Sequence, residues 1–97
     1  MTDIFCDPED RRIINQVLSK HPYAWYAFGS RVKGTHRQYS DLDVCYMQRI
    51  PSHELVEIEG EFEDSDLTFK VDFVDFQNCS EEFQQLIQSH MIPLTVS

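Results

Sequence analysis

Two aspartates one residue apart, Asp41 and Asp43, follow a Gly29-Ser30 pair after a gap of ten residues. Successive side chains of an extended strand point to opposite faces, so Asp41 and Asp43 project together while Leu42, Val44 and Tyr46 project the other way. Two like charges this close repel unless a cation sits between them. Hard oxygen ligands of this kind suit Mg²⁺, which is held by one or two carboxylates and leaves its other positions to water and phosphate oxygens. The chemistry such a cluster supports is in-line phosphoryl or nucleotidyl transfer, in which two ions roughly 3.5–4 Å apart steady the attacking and leaving oxygens. Gly29 lets the backbone approach a phosphate, Ser30 offers a hydroxyl and a cap for the turn that follows, and Arg31 or Lys33 could offset triphosphate charge. Gly29 and Gly34 have the spacing of a P-loop, but Thr35-His36 follow where Lys-Ser/Thr is required.

The elements that must hold these residues alternate. Asp7 is placed to cap a helix over about 8–20, with Pro8 at its first position and Ile13, Ile14, Val17 and Leu18 as one apolar stripe. The aromatic run Tyr23 to Phe28 is too short for a helix and reads as a strand ending at Gly29, and Asp41 to Met47 reads as a second. Ser52 opens a helix with Leu55, Ile58 and Phe62 at helical spacing, Phe69 to Phe76 is a third strand, and Ser80 caps a last helix carrying Phe83, Leu86, Ile87 and His90. The pattern predicts an α+β fold of α/β-like order, a small mixed β-sheet of three to four strands flanked by helices, over residues 1–97 as a single domain.

Composition narrows the classes. A hydrophobic fraction of 41% with twelve aromatic residues is enough for a core, and no run approaches the ~20 apolar residues of a membrane span. The acidic start, Met1 to Asp7, predicts no signal peptide, so a soluble cytoplasmic protein is expected. Three widely spaced cysteines argue against a disulfide framework. A net charge of −9 disfavours duplex nucleic acid, whose affinity for proteins comes mostly from Lys and Arg, and is compatible with a basic protein partner. Glu54, Glu57, Glu59, Glu61 and Glu63 read as a solvated helix face, and Tyr23, Trp25, Tyr26 and Phe28 as core.

Residues 27–47, AFGSRVKGTHRQYSDLDVCYM, together with FKVDFVDF at 69–76, resemble the minimal nucleotidyltransferases of the DNA polymerase β superfamily, in the Gly-Ser turn, the gap, the Asp-x-Asp and a later-strand acid. The resemblance implies that Gly29, Ser30 and Arg31 bind the nucleotide and that Asp41, Asp43 and Asp72 are catalytic and ligate two Mg²⁺ ions, Asp72 taking the proton of the attacking hydroxyl. Asp75 is the rival for the third position. By strand parity Asp72 lies with Val74 and Phe76, and Asp75 with Val71 and Phe73 at a strand end where it could instead cap a turn; the family register favours Asp72.

In that family, chains this short lack an acceptor-gripping domain and often accompany a helical HEPN-type protein. The resemblance therefore implies an antitoxin that transfers AMP from ATP to a tyrosine of a partner ribonuclease within a hetero-oligomer. Two other readings stand beside it: a binding module that neutralises its partner by complex formation, and the catalytic half of a two-chain transferase acting on a small hydroxylated molecule.

Overall fold

The computed structural model describes residues 3–94 and 96, so Met1 and Thr2 of the acidic start lie outside the described residues. Helix α1 spans Pro8–Leu18, strand β1 Trp25–Phe28, the short helix α2 Ser30–Lys33, strand β2 Leu42–Tyr46, helix α3 Ser52–Glu63 and strand β3 Val71–Asp75. A 3-10 turn over Phe76–Asn78, helix α4 (Glu81–Gln88) and a two-residue strand β4 (Ile92–Pro93) complete the order. The sheet runs β3-β2-β1-β4. β1 is antiparallel to β2 and to β4, whereas β2 and β3 are parallel, joined through α3. This is the mixed α+β sheet that the residue pattern predicts, with β4 added at the edge, where the Leu94 amide also donates to the Trp25 carbonyl at 2.8 Å.

Alternation divides the sheet into two faces. Trp25 and Ala27 of β1 and Leu42, Val44 and Tyr46 of β2 point to the face covered by α1 and α3, where they pack with Ile14, Leu18, Ile58 and Phe62. Trp25 is the centre of this side: its ring meets Tyr23, Tyr46 and Phe73 edge-on, and its indole N–H donates to the His21 carbonyl at 3.0 Å. Edge-to-face contacts of this kind add to the stabilisation from burial. The opposite face carries Phe28, Cys45, Phe76 and Ile87, covered by α4. Odd and even strand residues therefore serve different layers, and Asp43 and Asp72 fall on the α4 side. Among the described residues, no helix is long and apolar enough to cross a membrane.

Several local expectations are corrected. Asp7 occupies the N-cap position of α1 but makes no side-chain cap bond; only its carbonyl accepts from the Arg11 amide. The buried acid of the first turn is Asp10, whose carboxylate accepts from the Thr68 amide and hydroxyl and so ties α1 to the segment before β3. The acidic helix α3 is not a uniformly solvated face either. Glu54 and Glu61 clasp the buried His21 ring at 2.9 and 3.2 Å, and Glu61 also meets Lys20. Ser80 does cap α4, its hydroxyl oxygen accepting from the Phe83 amide.

Candidate active site

The turn between β1 and α2 is built on Gly29, at φ 83° and ψ −155°, a backbone region that only glycine occupies without strain. A Cβ at this position would stand 2.3 Å from Asp43 Oδ2, so the missing side chain is what admits the carboxylate. The Gly29 carbonyl accepts from the Val32 and Lys33 amides, and its own N–H donates to His90 Nε2 at 2.8 Å. Ser30 is the first residue of α2 rather than its cap; the cap position belongs to Gly29 and no side chain bonds there. A second left-handed glycine, Gly34 at φ 79°, ends α2 after one turn and releases the chain into the 35–41 loop.

The carboxylates come together through sheet register. Asp43 pairs with Phe28 on one side and, across the parallel ladder, with Asp72 on the other. Asp41 sits just before β2 and is exposed, Asp43 is half-buried and Asp72 exposed. Burial raises the Asp43 carboxyl above the ordinary range, and the charges of Asp72 and Asp41 raise it further. Asp72 is raised in the same way, by desolvation first and then by Asp41, which acts both as a like charge and as a hydrogen-bond partner. Asp75, the rival acid, faces elsewhere: it caps the 3-10 turn, accepting from the Gln77 amide at 3.1 Å and the Asn78 side-chain amide at 2.9 Å.

Arg31 departs from the expected nucleotide contact. It is buried, and its guanidinium donates to the carbonyls of Ser40 at 2.8 Å, Phe5 at 2.8 Å and Gln38 at 3.0 Å while lying 3.8 Å above the Phe69 ring. Each nitrogen of the planar fork is engaged by a backbone oxygen, and the buried head offers a phosphate no approach. Its contribution to the site is to hold the loop that delivers Asp41. Lys33 is the cation placed at the opening: it lines a cavity of about 420 Å³ together with Gly29, Asp43, Asp72, Phe83 and His90. A second groove, of about 670 Å³, opens on the other side of Asp72 and is lined by Asp41, Tyr39, Glu59 and Lys70. Asp72 is common to both. His90 escaped the residue pattern because helical spacing places it on the apolar stripe of the last helix, a position that reads as core, whereas α4 ends at Gln88 and His90 falls in the turn that follows.

Among the described residues, no three carboxylate, imidazole or thiolate groups form a ready-made ligand shell. The donor set nonetheless fits a hard divalent cation. All three candidate ligands are carboxylates, two of them are held toward the neutral form by burial first and then by their acidic neighbours, and both flanking cavities leave space for phosphate oxygens or water to complete a coordination sphere.

A mixed sheet that lays acids from two parallel strands beside a glycine turn has the layout of a nucleotidyl-transfer domain. The model of the family described as "Polymerase beta, Nucleotidyltransferase" matches residues 12–95, and the chain belongs to that family. It is 36% identical over 84 residues to the probable protein adenylyltransferase MntA of Haemophilus influenzae, an alignment that covers 82% of this chain and 74% of that protein. Among solved structures, a toxin-antitoxin complex with AMP-PNP superposes with a TM-score of 0.69 at 23% identity, covering 90% of this chain and 73% of the other. The toxin-antitoxin pair MntA-HepT gives a TM-score of 0.62 at 19% identity, covering 94% and 74%. These two likenesses establish the shared fold.

Proposed function

We propose that this single-domain chain is a Mg²⁺-dependent adenylyltransferase of the cytoplasm that moves AMP from ATP onto a tyrosine hydroxyl of a HEPN-type helical partner, and so acts as its antitoxin. The observation that carries the reading is the parallel register that sets Asp72 beside Asp43, within reach of Asp41 and against the Gly29 turn. The 36% identity to a probable protein adenylyltransferase and the fold shared with toxin-antitoxin complexes, one of them with AMP-PNP, support the choice of nucleotide and partner.

In this reading Gly29 and Ser30 receive the triphosphate, with Lys33 at the opening offsetting its charge. Asp41, Asp43 and Asp72 would hold the metal, which when bound neutralises the charge that builds on the phosphate oxygens. The tyrosine oxygen forms a bond to the α-phosphorus as the bond from that phosphorus to the bridging oxygen breaks, and pyrophosphate leaves with the electron pair. Asp72 takes the phenolic proton as general base. The groove on the Asp41 side of Asp72 is open to an acceptor side chain.

Mass spectrometry of the partner after incubation with this chain, ATP and Mg²⁺ tests the proposal. Added AMP on a tyrosine is expected; Asp72→Asn lowers the rate by about 10²–10⁴-fold, while Asp75→Asn, which alters only a turn cap, stays near the wild-type rate. Full transfer by Asp72→Asn removes its assigned role. A partner that is silenced without gaining mass replaces the enzymatic reading with neutralisation by binding.

A further inference from the structure

Gly29 is fixed on three sides. Its carbonyl is bound by the first turn of α2, its Cα faces the Asp43 carboxylate with no room for a side chain, and its N–H is held by a residue 61 positions later, His90 in the turn that follows α4. The last contact is long-range: the sheet pairing of Phe28 with Asp43 holds the strand side of the peptide between Phe28 and Gly29, and His90 holds its glycine N–H, at the end that has the torsional freedom to turn. An amide N–H can only donate, so Nε2 of His90 must carry the lone pair and the proton of the neutral ring must sit on Nδ1. That side of the ring has a partner suited to it: Ser89 Oγ stands 3.3 Å from Nδ1, and because the hydroxyl gives its own proton to the Leu86 carbonyl at 2.6 Å, its oxygen is free to accept. The Phe28 ring packs edge-on against it. The imidazole is therefore set in one tautomer by the Gly29 amide on one side and Ser89 on the other, and presents an acceptor to the turn.

We propose that His90 is a positioning residue of the nucleotide site, holding the Gly29 amide so that the turn and Ser30 stand in register with Asp43. The proposal rests on the reading of Gly29 and Ser30 as the nucleotide-binding turn. The charged and titratable groups that surround His90 are Lys33 of α2, Asp43 of β2 and Asp72 of β3, which share its cavity. Burial and the Lys33 ammonium both lower its pKa, against the Leu86 carbonyl, and keep the ring neutral and accepting at neutral pH. Protonation converts Nε2 from acceptor to donor and releases the amide.

Two variants test this. His90→Leu keeps apolar bulk and removes the acceptor, whereas His90→Gln places an amide oxygen near the Nε2 position. In the nucleotide-free protein, exchange of the Gly29 amide with solvent is expected to quicken about tenfold in His90→Leu and to return toward the wild-type rate in His90→Gln. Calorimetric titration with a non-hydrolysable ATP analogue and Mg²⁺ is expected to show Kd raised about tenfold in His90→Leu and near wild type in His90→Gln. On acidification, wild type loses affinity more steeply than His90→Gln, because the phosphates and aspartates titrate in both while the imidazole titrates in one. Equal affinity in wild type and His90→Leu overturns the proposal, and so does His90→Gln as impaired as His90→Leu. Absence of analogue binding by wild type overturns the nucleotide-site reading itself, and the amide-exchange result then shows only a turn contact.

Discussion

Replacing Gly29 with alanine separates stability from activity at one position. The new Cβ would lie 2.3 Å from Asp43 Oδ2, 3.3 Å from its Cγ and 3.6 Å from its Cβ, so the hard overlap is with the far end of one rotatable side chain and not with backbone. The carboxylate can swing away, which makes the steric part inexpensive. What remains is the backbone conformation, φ 83° and ψ −155°, which costs an L-residue of the order of 1–2 kcal/mol. For a domain of this size that corresponds to a Tm lower by roughly 5–15 °C. Activity should suffer far more, because Asp43 must leave its place beside Asp72, and a displacement of about 1 Å of a reacting constellation costs about 10²-fold. Gly60 provides the internal control: it lies within α3, where an added Cβ would meet nothing within 4 Å, so Gly60→Ala should raise stability by about 0.5–1 kcal/mol and leave transfer unchanged. Calorimetric melting and a partner-labelling assay with radioactive ATP measure both quantities on the same samples. Gly29→Ala with transfer within a few-fold of wild type refutes the argument that the missing side chain exists to admit Asp43.

Two further predictions concern groups that hold the frame. Burial by itself lowers the His21 pKa, but the hydrogen bonds the ring donates to Glu54 and Glu61 outweigh it and raise the folded-state value above the ordinary one near 6.5. A raised folded pKa contributes stability that is fully present below the unfolded value and is lost as pH rises through the folded one, so Tm should decline from about pH 6.5 upward. Glu54 is held below its usual range first by the Tyr23 hydroxyl and then by His21, and Glu61 first by Lys20, so their share is lost instead as pH falls below about 4.5. A melting series across pH should therefore peak between those limits, and His21→Gln should flatten its alkaline side; an unchanged slope would remove His21 from the account. Arg31→Lys keeps the charge but loses the fork that reaches three carbonyls, and should cost about 2–3 kcal/mol of unfolding free energy in a denaturant titration. A variant as stable as wild type would show that the three carbonyl contacts do not hold the fold.

Strand parity in the residue pattern already placed Asp41 and Asp43 on one face and left Asp72 and Asp75 on opposite faces of the next strand, because alternation is a local property of extended backbone. The Gly-Ser turn, the Ser80 cap and the aromatic core are local in the same sense, and each can be read from a few neighbouring residues. Alternation does not say which strands are neighbours or in what register. The parallel pairing of β2 with β3 lays Asp72 against Asp43, while Asp75 caps the turn that follows. Arg31 beside Ser30 has the position of a phosphate ligand, and only the folded loop, with carbonyls at Phe5, Gln38 and Ser40 in need of donors, turned the guanidinium inward. His90 on an apolar stripe and Glu54 and Glu61 on an acidic helix gained their partners across separations of 61, 33 and 40 residues. The composition of this chain determined that phosphate chemistry was available and which residues could hold a cation; tertiary structure decided which of them meet, because a polar group buried by folding must find its partner in space and not along the chain.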